Sequence, residues 1–140
     1  MKNKKIISIL IIFLIIAGLY VLLQSLLMPK YMTKIVEGAL ISEYYHEKNK
    51  DHDVIFIGDC EVYENFSPIT LWEEYGITSY IRGSAQQLIW HSYYLLEDTL
   101  KYEKPDVVVF SVLSMMYDEP QNEAYNRMSI DGMPLSLTKL

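Results

Sequence analysis

Apolar residues run from Ile6 to Met28 with no charged interruption, and then regroup into shorter blocks with different spacings. The long run holds 23 residues, of which only Ser8, Gln24 and Ser25 are clearly polar. At about 1.5 Å per residue it makes a helix of roughly 35 Å, enough to cross a bilayer with some tilt. A cleaved signal peptide has a shorter apolar region and a small-residue cleavage site. Here the bulky Leu26-Leu27-Met28-Pro29-Lys30 follows, so an uncleaved anchor over 6–28 is expected. Over Tyr31–Lys50, Met32, Ile35, Val36, Ala39, Leu40 and Tyr44 recur at three and four, which predicts an amphipathic juxtamembrane helix interrupted by Gly38. His46 to Asp53 is a polar break.

Val54–Ile57 is continuously apolar and β-branched or aromatic, the pattern of a strand covered on both faces. Ser67-Pro68 opens a helix with Ile69, Trp72 and Tyr75 on its apolar face, and Gly76 closes it. Ile77–Arg82 reads as a second strand. Ser84-x-x-Gln87 reads as a capping box, and the helix behind it runs to about Glu103 with Leu88, Leu95, Leu96 and Leu100 on one face. Pro105 stops it. Val107–Leu113 is the third strand, with Met115-Met116 capping its apolar run. Residues 114–140 carry Pro120, Gly132 and Pro134 and no periodicity. The order strand, helix, strand, helix, strand predicts an α/β fold with a parallel sheet, of the partial flavodoxin-like, three-layer kind, with the strand order switching beside the first strand. The expected organisation is a basic end (1–5), the transmembrane anchor (6–28), a juxtamembrane helix and linker (29–52), the α/β domain (53–113) and an irregular end (114–140).

Charge adds a direction and an exclusion. The net charge is −6, but residues 36 onward hold 7 basic and 18 acidic side chains, a balance of −11. So acidic a domain repels a phosphate backbone, and nucleic acid is not an expected partner. Lys2, Lys4 and Lys5 before the span, against Lys30 and Lys34 after it, favour a cytoplasmic N-terminus and an extracytoplasmic domain at the cell membrane. The lipid bilayer is then the partner of residues 6–28. The histidines His46 and His52 stand among acids without a metal-ligand spacing, so neither metal nor cofactor is expected. Glu73-Glu74 and Asp118-Glu119 read as solvated faces. Tyr44-Tyr45 and Tyr93-Tyr94 read as core and rim packing. His91, in the first part of its helix, reads as a surface or core-rim residue.

In a parallel sheet ligands bind beyond the carboxyl ends of the strands. That brings Gly58-Asp59-Cys60, Gly83-Ser84 and the Ser114–Tyr117 region to one edge. Cys60 is the only cysteine. A lone thiol is buried and inert, paired with another chain, or reactive. Asp59 and Glu61 beside it would raise its pKa and keep it protonated.

The corner Val54-Ile55-Phe56-Ile57-Gly58-Asp59-Cys60 resembles the Gly-Asp-Ser block of the SGNH or GDSL-type hydrolases. The glycine after the second strand, Gly83, resembles that family's second block. An N-terminal anchor and Lys104-Pro105-Asp106-Val107-Val108-Val109 are similar in layout to membrane-anchored members from Gram-positive bacteria, of the type related to the D-alanyl transfer protein DltD. The resemblance covers roughly residues 53–113. It implies a hydrolase or acyltransferase acting on acyl esters of envelope glycans or lipids. Cys60 would be the nucleophile in place of serine, supported by Asp59, with the backbone N–H groups of Cys60 and Gly83 holding the oxyanion. The family's Gly-x-Asn-Asp block is absent, and no histidine follows His91, so the Asp-x-x-His base is missing. The expectation is the N-terminal part of such an enzyme, inactive by itself. The alternative is a non-catalytic, membrane-anchored module that binds an envelope partner.

Overall fold

A computed structural model describes residues 2–27, 35–119 and 122–134 of the chain, with side chains from Lys4 onward. The first element is a single helix, α1 (Lys2–Leu27). Its segment Lys4–Leu27 is long and apolar enough to cross a membrane. The next helix, α2 (Val36–His46), is shorter than its periodicity suggests. The part of that pattern on Tyr31–Lys34, Met32 included, lies outside the described residues.

Three strands form one parallel sheet in the order β2-β1-β3: β1 (Val54–Gly58), β2 (Ser79–Gly83) and β3 (Val107–Phe110). The order switches beside β1, as expected from the alternation of elements. Val54 pairs with Ser79 on one side and Val107 on the other. β1 is central and almost wholly buried, which is why its sequence is uninterruptedly apolar. β3 is an edge strand, and Val107 at its start is half exposed.

Several boundaries differ from the expectation, each for a local reason. The second strand begins at Ser79, two residues late, because Thr78 is held at a turn by Asp53: its amide donates to Asp53 Oδ2 at 2.8 Å. The third strand stops at Phe110. Val112–Met116 is a 3₁₀ helix, in which Met115 and Met116 are exposed instead of capping the apolar run. Ser84 and Gln87 do not cap a helix. Their side chains bond each other at 3.0 Å within a turn, and α5 (Ile89–Thr99) starts two residues later from Leu88, without a side-chain cap. Two short helices were not foreseen. α3 (Cys60–Asn65) is capped by Asp59, and α6 (Glu123–Ile130) is capped by Asn122 through the Tyr125 amide at 3.1 Å.

Helix α4 (Pro68–Tyr75) forms where Ser67-Pro68 and Gly76 place it, but its apolar stripe faces outward. Ile69, Trp72 and Tyr75 are all exposed. The sheet face beneath is already covered. Val62 and Tyr63 of α3 pack there, Phe66 stacks on Phe56 with ring centroids 4.4 Å apart, and α4 contributes only Leu71.

The opposite face carries Ile55 and Ile57 against Ile41, Leu95 and Met133. Helix α2 sends Ile41 to this cluster and Leu40 to the other, so it straddles the outer edge of β2 and covers it. What locks it there is polar. Arg82 of β2 is fully buried. Its Nη1 donates to Thr99 Oγ1 at 2.7 Å and to Leu95 O at 3.2 Å, and its Nη2 donates to Tyr45 OH. Its guanidinium lies 4.1 Å from the ring centre of Tyr44. Tyr45 OH donates to Asp98 Oδ2, which also faces Arg82 at 3.5 Å. Tyr44 OH reaches Glu103 Oε1 at 2.7 Å, and Glu103 Oε2 accepts from the His52 amide at 3.0 Å. Burial, together with the Glu103 carboxylate, pushes the Tyr44 phenol far above the ordinary range; for Tyr45 burial leads as well, and Asp98 adds to it, in both cases against the opposing pull of Arg82. Both phenols therefore remain donors across the physiological range.

Removing one partner of a buried charge pair strands the other, at a typical cost of 3–5 kcal/mol. Arg82→Ala therefore lowers unfolding free energy by roughly that amount, measured by urea titration of the full chain in detergent micelles. A change below about 1 kcal/mol would mean that the guanidinium does not hold α2.

Candidate functional site at the carboxyl edge of the sheet

The three strand ends converge as the sequence suggests, and the contacts are close. Ser84 N–H donates to Gly58 O at 3.3 Å and Ser111 N–H to Ile57 O at 2.9 Å. Asp59, almost fully buried, accepts from Ser111 Oγ at 2.9 Å and from the Glu61 amide at 3.4 Å through the same oxygen, Oδ1. Asp59 is thus both the N-cap of α3 and the bridge from β1 to the end of β3. Ser114, the nearest of the Ser114–Tyr117 group, is buried and donates to Ser111 O at 2.9 Å.

The two glycines of the corner are required sterically. A Cβ on Gly58, whose φ is +156°, would lie 2.4 Å from Ser111 Cβ. A Cβ on Gly83 would lie 2.5 Å from Val62 Cγ2 and 3.1 Å from Gly58 O. Gly83 is therefore pressed against the Gly58-Asp59 backbone. In the ladder to β1, Gly83 is the partner of Gly58, and Ser84 supplies the N–H. The alternation of a parallel ladder leaves the Gly83 N–H outside it.

Cys60 is the first residue of α3 and is partly buried. Burial pushes its thiol upward, the charges of Asp59 and Glu64 push it further, and Glu61 adds a smaller push. Beside it, between α3 and the open side of β3, lies a groove of about 490 Å³ whose lining includes Glu61, Val62, Phe66, Val109, Ser111 and Val112.

Behind β2 the loop Ser84–Leu88 carries features that sequence reasoning missed. Gln86 takes a left-handed conformation at φ +52°, uncommon for a residue with a side chain. Ser84 Oγ meets Ser129 Oγ of α6 at 2.5 Å, and Gln87 Nε2 donates to Ser92 Oγ at 2.9 Å, all of them buried. His91 is buried among these residues rather than at the surface. Burial pushes its pKa down, opposed by a hydrogen bond with Asn126. The other two histidines, His46 and His52, belong to the amino-terminal side of the sheet. His46 Nδ1 lies 3.0 Å from Ser42 O, and His52 Nδ1 lies 2.8 Å from Glu103. No group of metal-ligating side chains is found among the described residues. The edge therefore assembles a glycine corner, a held carboxylate and a thiol in acidic surroundings. No protein-family model matches the chain, and no curated protein or solved structure matches it either.

Two pH dependences follow. Iodoacetamide modifies Cys60 in the folded chain at neutral pH more slowly than it modifies free cysteine. The rate climbs at pH values above the ordinary thiol value of about 8.5. Equal or faster reaction at neutral pH would contradict the acidic setting. For His91 the folded value lies below the unfolded one. Its contribution to stability is whole above about pH 6.5 and is lost as pH falls through the folded value. The urea midpoint of the wild-type chain therefore drops more on acidification from neutrality than that of His91→Gln. Identical pH profiles would remove His91 as the cause.

Proposed function

We propose that this chain is the nucleophile-bearing N-terminal part of a membrane-anchored SGNH-like hydrolase or acyltransferase, with a partial flavodoxin-like sheet. It faces outward from the cell membrane, acts on acyl esters of envelope glycans or lipids, and turns nothing over by itself. The observation that carries this reading is the corner. Gly83 is packed against Gly58-Asp59, Asp59 is tied to Ser111, and Cys60 opens a helix at the carboxyl edge. In that reading the Cys60 thiolate, its proton having passed to hydroxide in solution, attacks the acyl carbonyl carbon; the ester C–O bond breaks, and the alcohol side departs with its bonding electrons and takes a proton from water. The backbone N–H groups of Cys60 and Gly83 are the donors that this reading assigns to the oxyanion formed before the alcohol leaves. This reading assigns no base to a second, hydrolytic step: His46 and His52 bond at the amino side of the sheet, and His91 is buried with a hydrogen bond to Asn126 and its Nδ1 without a partner among the described residues. α1 supplies the anchor by length and composition.

A second reading is favoured by one observation, the acidic surroundings that keep the Cys60 thiol protonated. There the chain is a non-catalytic, membrane-anchored module, and Cys60 is a packing residue.

The two separate in one assay. The full chain in micelles is mixed with 4-nitrophenyl acetate at about pH 9, close to where a thiol ionises. The enzyme-part reading expects one nitrophenolate per chain and an acetyl thioester on Cys60. Acylation should outpace that of N-acetylcysteine at equal thiolate content, turnover should stop there, and Cys60→Ala should give nothing. Acylation no faster than the free thiol's removes the nucleophile reading and leaves the module.

A further inference from the structure

The direction of α2 shows at which end of the domain the chain from α1 enters. Near the start of α2, Glu37 accepts from Tyr63 OH at 3.2 Å, and Tyr63 lies in α3 just beyond the carboxyl end of β1. At the other end of α2 the chain reaches Glu47, which faces His52 at 3.3 Å, just before β1 begins. α2 therefore runs antiparallel to the strands, and the chain coming from α1 enters at the carboxyl edge. Leu27 and Ile35 are eight residues apart, a reach of at most about 29 Å. The amino edge lies a further 16 Å or so away, the length of a five-residue strand.

The same carboxyl edge carries apolar side chains with nothing over them. In the 3₁₀ helix after β3, Val112 is 70 % exposed, Met115 59 % and Met116 76 %. The apolar groove beside Cys60 opens next to them and shares Val112. Bulky apolar groups that meet water in a domain tethered to a bilayer gain by entering its interface, where such a face sinks about 5–10 Å.

We infer that the carboxyl edge rests on the outer surface of the bilayer that holds α1, with Val112, Met115 and Met116 in the lipid interface and the mouth of the groove opening at the membrane. The contact is apolar: Asp118 and Glu119 are exposed close by in sequence, and the domain is strongly acidic, so zwitterionic lipid suits it better than anionic lipid. This placement rests on the reading of α1 as a membrane span.

The test uses the full chain in phosphatidylcholine vesicles. In a Cys60→Ala background, single cysteines are introduced as Val112→Cys, Met116→Cys, Trp72→Cys and Asn49→Cys, each at an exposed position, and labelled with a small fluorophore. Lipids carrying a nitroxide at the headgroup act as quencher, and alkaline carbonate washing reports insertion of α1. The expected result is loss of most of the emission at 112 and 116, with the labels at 72 and 49 keeping theirs. If the chain resists carbonate but 112 and 116 stay bright, the edge does not touch the membrane, and the spanning helix stands. Stronger quenching at 72 puts the α4 flank on the bilayer and overturns the placement as well. Extraction by carbonate removes the spanning reading and this inference with it.

Discussion

A guanidinium cannot be buried cheaply, and this fold buries one completely. Arg82 has no access to water, so its charge is met from within by Asp98 and its Nη groups by Thr99, Tyr45 and a helix carbonyl, while its Nε has no hydrogen-bond partner among the described residues. These partners come from two helices, α2 and α5, that also share the apolar cluster of Ile41 and Leu95. Satisfying Arg82 thus sets how both helices sit on the sheet. The tyrosines serve twice: Tyr44 offers its ring to the cation and its hydroxyl to Glu103, and Glu103 in turn holds the turn before β1. A chain of polar contacts therefore runs from the middle of β2 to the start of β1. It explains why α2 is part of the domain and not a loose stalk.

The carboxyl edge is rigid for a related reason. Asp59 spends one oxygen on both Ser111 and the α3 amide, and two glycines bring backbones closer than side chains would allow. This geometry fixes the start of α3, and with it Cys60, in acidic surroundings. Every charge that perturbs the thiol is negative, which protects it from ionisation and oxidation at the same time. The corner is thus tightly packed, and the thiol beside it is held in its protonated, quiet form.

Much of this was legible in the sequence because β-branched runs have few alternatives. Val54–Ile57 is a run that only a buried strand accommodates, Val107–Phe110 has the same β-branched character although it lies at the sheet edge, Pro105 and Gly76 punctuate them, and the parallel order follows from the helices between. The corner at Gly58-Asp59-Cys60 was legible as a strand end, and Asp59 as its polar residue. The failures share a physical origin. α3 and α6 bury a single side chain each, Val62 and Ser129, so no periodicity announces them, although Asp59 and Asn122 are capping residues. The stripe Ile69-Trp72-Tyr75 is a true helical face, but spacing says only that a face exists, not which side the sheet takes. Arg82 was invisible as a core residue because one arginine in a strand reads as an exposed position. Only the tyrosines and the Asp98 carboxylate, far off in sequence, make its burial possible.

β3 is the open side of the sheet. Its alternate residues Val107 and Ser111 donate to β1, which leaves Val108 and Phe110 to present their backbones outward. Then the chain turns into a 3₁₀ helix. A foreign strand laid alongside would find about four hydrogen bonds to make, too few to outweigh the entropy of ordering it. The domain can thus leave an apolar strand uncovered without seeding fibres: its defence is brevity.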